Sequence, residues 1–289
     1  MQLIDGKKVA SELIEKLKRE VDELKTLNRA IPKLVIIQVG ADPASDVYIR
    51  QKKNACEKVG ILIEHIKFDA SITMEELNKK IVQLNDDSSV TGILVQSPLP
   101  PHIDEPNVFK MISPYKDVDG FTAYNMGKML LSVQFEDLVP CTARGVIRLL
   151  EYYKIDVVGK RVAMIGSSNI VGKPLAVMLS NRKATVTICN SKTVDLAMHT
   201  LNADIVCVAV GKPNLITAEM VRDGVIVIDI GINRLEDGKL VGDVDFENVS
   251  KKASFITPVP GGVGPMTVAC LMENTLIAYK RQNLVANQK

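Results

Sequence analysis

KRVAMIGSSNIVGKPLAVML, residues 160–179, runs apolar from Val162 to Ile165, stops at Gly166 and resumes with helical spacing after Gly172 and Pro174. A short apolar run bounded by glycine has the length of a buried parallel strand, and proline is tolerated in the first turn of a helix, where its missing N–H would be unpaired anyway. The stretch therefore reads as strand, glycine turn, helix. Glycines in such a turn let backbone N–H groups approach a pyrophosphate, and a helix N-terminus favours negative charge. The spacing departs from G-x-G-x-x-G, and a glycine-rich turn of this kind serves equally well with no ligand at all.

Downstream the alternation continues through Ala184–Cys189, Asp204–Val210 and Val225–Ile230, so that four strands suggest a Rossmann-like sheet. The strand ending at Cys189 runs into Asn190-Ser191-Lys192, with no acid where an NAD-selective protein usually places one for the ribose hydroxyls. A hydroxyl and a cation suit a 2′-phosphate better and favour NADP, although Lys192 is equally at home as a solvated loop lysine. After Thr257 the rigid turn PVPGGVGP leads into a helical pattern over Met266–Tyr279, which is expected to pack back on the first part of the chain.

Upstream, a helical pattern to about Asn28 precedes an apolar run at Lys33–Val39, a helix from Ser45 to Gly60, and a strand at Ile61–Phe68. A helix over Met74–Leu84, capped by Thr73, and a strand at Gly92–Gln96 follow. The first half is thus a second α/β domain with a parallel sheet, and residues 97–140, richer in Pro, Asp, Asn and Gly, form the interdomain region. On the Ser45–Gly60 helix Tyr48 and Lys52 lie one turn apart on one face, positioned to meet one ligand, though Lys52 taken alone reads as a surface lysine, since Arg50, Lys53 and Lys58 show how many cations this helix carries. Gln96 ends its strand where open parallel sheets place ligand groups, or it is a strand-end capping amide. In KDVDG, Asp117 and Asp119 read as a turn, an Asx motif or a metal pair; without His or further acids nearby the metal reading is poor, and Asp119 is kept as a substrate-binding carboxylate.

The 289 residues carry a formal net charge of +2 with cations spread along the chain, which gives no basis for a nucleic-acid or membrane partner and points to a small molecule. Five cysteines without a C-x-x-C pair, mostly inside apolar segments, indicate reduced thiols and a cytoplasmic protein. His65, His102 and His199 lack ligand spacing, so no metal site is expected, and no nucleophile signature appears.

Taken in order, PAS-x-x-Y-x-x-x-K at 43–52, GILVQSPLP at 92–100, KDVDGF at 116–121, IVGKPLA at 170–176 and TPVPGGVGPMT at 257–267 resemble the bifunctional methylenetetrahydrofolate dehydrogenase/methenyltetrahydrofolate cyclohydrolase family across essentially the whole chain. The resemblance implies NADP-dependent oxidation of 5,10-methylenetetrahydrofolate to the methenyl form and its hydrolysis to 10-formyltetrahydrofolate. It implies that Lys52 is catalytic, that Tyr48 and Gln96 orient it and the pterin, that Asp119 holds the pterin, and that Val95, Pro260, Gly261, Gly262 and Gly264 border the substrate. Gly166, Ser167, Ser168, Ser191 and Ile232 fall at the family's nicotinamide-cofactor positions. It further implies a homodimer, with residues 1–139 plus 265–289 as the folate-binding catalytic domain and 140–264 as the Rossmann-like NAD(P)-binding domain.

Three positions depart from the family pattern: Ser167 stands where arginine is common, Asn190 where histidine is common, and Ala143 where proline is usual. An arginine at 167 would grip a 2′-phosphate bidentately, so Ser167 leaves NAD open beside NADP. Two rival readings are a dehydrogenase of another small substrate and a nucleotide-binding regulator with a decayed site; the presence of Tyr48, Lys52, Gln96 and Asp119 together speaks against decay.

Overall fold

The computed structural model describes residues 1–286. The chain opens with β1 (Gln2–Leu3) and α1 (Gly6–Thr26), then alternates β2 (Lys33–Val39), α2 (Pro43–Val59), β3 (Leu62–Phe68), α3 (Met74–Asp86) and β4 (Gly92–Val95). Two short helices, α4 (Glu105–Met111) and α5 (Ala123–Leu131), precede α6 (Cys141–Tyr152). A second alternation runs β5 (Arg161–Ile165), α7 (Gly172–Asn181), β6 (Thr185–Cys189), α8 (Leu196–Leu201), β7 (Ile205–Val208) and β8 (Ile226–Asp229). The remainder is a hairpin of β9 (Asn233–Arg234) and β10 (Leu240–Val241), then α9 (Phe246–Val249), β11 (Phe255–Ile256) and α10 (Val263–Ala286).

These elements form two compact units. One comprises Glu12–Lys128, Glu136–Val139 and the stretch from Val268 onward. Its sheet is parallel in the order β3-β2-β4, with Leu34 opposite Gly92 and Ile63. Parallel strands need crossover helices, and α2 and α3 supply them. Thr73 starts α3 with a full capping box, its hydroxyl accepting from Glu76 N at 3.2 Å while Glu76 answers on Thr73 N at 3.0 Å. Leu77, Ile81 and Leu84 recur at helical spacing and bury against Val35, Ile37, Val39, Ile93 and Val95, each contributing about 1.5–3 kcal/mol by leaving water.

The expected start of α2 at Ser45 is corrected: Asp42 is the N-cap, accepting from Ser45 N at 2.7 Å, and Pro43 occupies the first turn. A carboxylate caps better here because it also meets the positive end of the helix. The C-terminal helix does pack into the three-stranded unit. Asn274 of α10 is fully buried and donates to Val118 O (2.7 Å) and Val139 O (2.9 Å), while Cys270, Leu271, Met272 and Leu276 are buried around it.

The other unit comprises Met1–Ser11, Met129–Phe135 and Pro140–Thr267. Its six strands are all parallel in the order β1-β11-β8-β7-β5-β6. The four anticipated strands are contiguous and run out to one edge at β6, and β11 and β1 extend the other side by pairing Phe255 and Ile256 with Gln2 and Leu3. A two-residue strand carries no hydrophobic period, which is why β1 escapes a reading of the sequence. The chain leaves β5 toward β6 on one side and returns through β7 on the other, creating a topological switch point at the carboxyl ends of β5 and β7.

Candidate functional site

In the three-stranded unit, Lys52 and Gln96 meet. Helix α2 buries Ile49, Cys56 and Val59 and turns Tyr48 outward, 38% exposed, with Lys52 one turn further on. Lys52 Nζ donates to Gln96 Oε1 at 2.9 Å. Gln96 is held on two sides: its N–H donates to Ile37 O at 2.8 Å, extending the β2–β4 pairing by one residue, and its Nε2 donates to Ser97 O at 2.7 Å. With the amide nitrogen so engaged, the amide oxygen faces the lysine. Val95 buries its side chain in the core, so only its backbone borders this place.

KDVDG lies alongside β4, with Ile93 N donating to Lys116 O at 2.8 Å and Ile93 bridged to Asp117. Asp117 is buried and accepts from Gly120 N, Phe121 N, Thr122 N and Asn125 Nδ2 at 2.8–3.1 Å, which makes it the builder of the turn. The parallel run carries Asp119, half-buried, toward the carboxyl end of β4, where Gln96 stands. Lys116 caps the end of α3, donating to Leu84 O (2.9 Å) and Asp87 O (2.6 Å), and burial lowers its pKa.

A second polar chain supports α2 and was not legible in the sequence. Lys53 Nζ lies 3.0 Å from His65 Nδ1, His65 Nε2 lies 2.9 Å from Gln38 Oε1, and Gln38 Nε2 donates to Asp46 Oδ1 at 2.8 Å. Only one arrangement satisfies every group: Lys53 donates to Nδ1, and Nε2–H donates to the glutamine. Burial, then the neighbouring Lys53 and Lys67, lowers the His65 pKa against the opposing pull of Asp46 and favours that neutral ring. Among the described residues no group of three or more His, Cys, Asp or Glu is arranged to hold a metal ion.

In the six-stranded unit the turn after β5 closes on two glycines. Gly166 has φ +113°, and a Cβ there would overlap Ala209 O; a Cβ on Gly172 would overlap Gly166 O. Only glycine lets these backbone segments approach one another so closely. Ser167 is half-buried, and the Ser168 hydroxyl accepts from Val171 N (3.2 Å) and Gly172 N (3.3 Å), closing the start of α7. Beyond β6, Ser191 and Lys192 are exposed on a turn closed by Asn190 N to Thr193 Oγ1 (2.8 Å) and Lys192 N to Asn190 Oδ1 (2.9 Å).

Ile232 is 43% exposed, and Gly264 lies against it, a Cβ on Gly264 reaching van der Waals distance of the Ile232 side chain. Thr257 locks the end of β8 by accepting from Asp229 N at 2.7 Å and donating to Asp229 O at 3.2 Å. The following peptide Val259–Pro260 is cis, Pro260 is exposed, and Gly261 and Gly262 pack against Gly6 and Lys7 at the start of α1. The glycines of this turn thus have a structural task in addition to any contact with substrate. Asp229 and Asp243 form a buried carboxylate pair that composition and spacing did not single out. Burial first, and then the Asp243 charge, pushes the Asp229 pKa up to about 7, although N–H donors from Asp243, Val244 and Gly231 pull it down.

Comparison with known proteins bears on both units. The family description "tetrahydrofolate dehydrogenase/cyclohydrolase, catalytic domain" matches residues 4–119, and its "NAD(P)-binding domain" counterpart matches residues 140–283. The bifunctional protein FolD of Nautilia profundicola is 56% identical over 280 residues, 97% of this chain and 98% of that one. The crystal structure of the bifunctional methylenetetrahydrofolate dehydrogenase/cyclohydrolase of Campylobacter jejuni is similar at 49% identity with a TM-score of 0.95, covering 98% of this chain and 99% of that one. The Trypanosoma brucei dehydrogenase-cyclohydrolase, solved with NADP and an inhibitor, is similar at 37% identity with a TM-score of 0.93, covering 97% of each chain.

Proposed function

Because the chain belongs to the tetrahydrofolate dehydrogenase/cyclohydrolase family, we propose that it oxidises 5,10-methylenetetrahydrofolate to the 5,10-methenyl cation with NADP and hydrolyses that cation to 10-formyltetrahydrofolate. The observation that carries this reading is the Lys52 Nζ–Gln96 Oε1 hydrogen bond, which places an amine with a fixed direction at the carboxyl end of a parallel strand.

The turn after β5 fits NADP: Gly166 and Gly172 let its backbone segments close up on one another, and Ser167 and Ser168 beside the start of α7 hold the pyrophosphate. Ser191 and Lys192 hold the 2′-phosphate in place of the arginine that Ser167 replaces, and Ile232 offers an apolar face to the nicotinamide. Bound NADP supplies the hydride acceptor. In the hydrolytic step water adds to the methenyl carbon, the C–N bond to the pterin ring nitrogen breaks, that nitrogen gains one of the water's protons, and the other proton is released to solvent. Lys52 Nζ carries the proton between water and nitrogen, Gln96 Oε1 keeps Nζ in place, and Tyr48 and the Asp119 carboxylate fix the pterin.

We further assign a homodimer and a cytoplasmic setting. Strand β6 is the edge of the six-stranded sheet, and Ile188 on it is exposed together with Val194, Met198 and Leu201 beyond it, a surface that a second copy would cover. The five cysteines are buried and none is in a disulfide, which suits a reducing compartment. The deciding experiment is a spectrophotometric assay with methylenetetrahydrofolate and each of NADP and NAD. Turnover with NADP is expected, and no turnover with either refutes the function.

A further inference from the structure

We propose that Asp243 is a positioning residue for the cofactor: its buried carboxylate holds loop 210–212 in the shape against which the nicotinamide nucleotide lies. The inference rests on the reading of the six-stranded unit as the cofactor site, and deepens it.

Loop 210–212 follows β7 directly and so stands at the switch point between β5 and β7, where open parallel sheets take their ligands. It also touches the glycine turn, since Gly166 approaches Ala209 O too closely to bear a Cβ. Asp243 is fully buried beneath it. Its Oδ2 accepts from Val210 N (2.7 Å) and Gly211 N (3.1 Å), and its Oδ1 accepts from Lys212 N (2.8 Å) and Asn233 Nδ2 (2.9 Å). Three consecutive backbone N–H groups therefore converge on one carboxylate, while Val210, Gly211 and Lys212 are themselves exposed. The loop is anchored from below and open above.

The anchor is itself fixed. Asp229 Oδ1 accepts from Asp243 N (3.0 Å) and Gly231 N (3.1 Å), and Asp229 Oδ2 accepts from Val244 N (3.0 Å). A Cβ on Gly231 would overlap the Asp243 carboxylate and one on Gly242 would overlap that of Asp229, so both glycines are required for the pair to pack. The four donors to Asp243 are neutral amides, and keeping two carboxylates buried side by side carries a desolvation cost that an apolar filling of the same space would not. That cost is borne at the switch point, beside Ile232, where the shape of the loops decides cofactor binding.

Asparagine at 243 presents one oxygen instead of two, so in either orientation two of the four donors face an NH₂ group. The loop then loses the shape that the cofactor needs, and the expected loss of NADP affinity is about tenfold or more, which is about 1.4 kcal/mol per factor of ten. The experiment compares wild type, Asp243→Asn and Asn233→Ala for NADP binding by calorimetry, for dehydrogenase KM and kcat, and for hydrolysis of the methenyl substrate, which uses no cofactor. The expected result is a Kd and KM for NADP raised about tenfold or more in Asp243→Asn and by a smaller factor in Asn233→Ala, with kcat at saturating cofactor and the hydrolysis rate retained.

Unchanged KM in both variants overturns the proposal, as does a parallel loss of hydrolysis and dehydrogenation, which marks a merely structural residue. If Asp243→Asn does not fold, Asn233→Ala decides by the same split. Failure of the wild type to bind NADP overturns the cofactor reading itself; wild-type binding with unaffected variants overturns only the role of Asp243.

Discussion

Replacing Asp229 with asparagine should change the sign of a stability difference as pH rises. In the folded chain Asp229 titrates at about 7, against 3.8 for an ordinary aspartate, a gap of about 3 pH units. At about 1.4 kcal/mol per unit this amounts to about 4 kcal/mol. Below pH 3.8 the group is protonated in both folded and unfolded chains, and its full contribution to stability is present. Between pH 4 and 7 the unfolded chain releases the proton while the folded chain retains it, so the wild type loses about 1.4 kcal/mol per pH unit; above 7 the loss is complete.

Asparagine removes this dependence and adds a constant penalty, because one of the three N–H donors to Asp229 then meets an NH₂ group, at roughly 1–3 kcal/mol. The variant should therefore be less stable than wild type near pH 4.5 and as stable or more stable near pH 8. Urea unfolding followed by circular dichroism across that range measures the difference, in which the titration of groups remote from the Asp229–Asp243 pair cancels. A wild-type-to-variant difference constant to within about 1 kcal/mol would refute the view that burial outweighs the amide donors at Asp229.

Lys52→Met should abolish methenyl hydrolysis while NADP binding stays as in wild type; a variant that still hydrolyses normally would remove Lys52 from the chemistry. Gly166→Ala should cost about 1–3 kcal/mol in thermal stability and weaken NADP binding, since alanine is strained at φ +113° and its Cβ overlaps Ala209 O. Because the folded-state pKa of His65 is lowered, its contribution to stability is fully present above the usual histidine pKa of 6.5 and is lost as pH falls from there through the lower folded-state value. His65→Gln should flatten the acid side of the wild-type stability profile, and an unchanged profile would show that the Lys53–His65–Gln38–Asp46 chain does not hold α2.

Much of this architecture was legible along the chain because it is encoded locally. The apolar runs at 33–39 and 161–165 are strands by length and composition, Thr73 carries its capping partner three residues on, and Gly60 ends α2 in the left-handed region at φ +87°. Tyr48 and Lys52 share a face by helical spacing alone. Local competition among caps was harder to read: Asp42 and Ser45 both qualify, and the helix begins from the carboxylate.

What the order of residues determined by itself was two α/β alternations, the lysine helix and the glycine turn, since periods, caps and turns depend on neighbours a few positions apart. The tertiary structure alone decided which distant groups answer one another. It paired Gln2 with Phe255, brought Gln96 to Lys52, joined His65 to Gln38 and Asp46, and set Asp243 beneath Val210, Gly211 and Lys212. A buried carboxylate or a neutral histidine is recognisable only from its donors and its burial, and both are products of the fold.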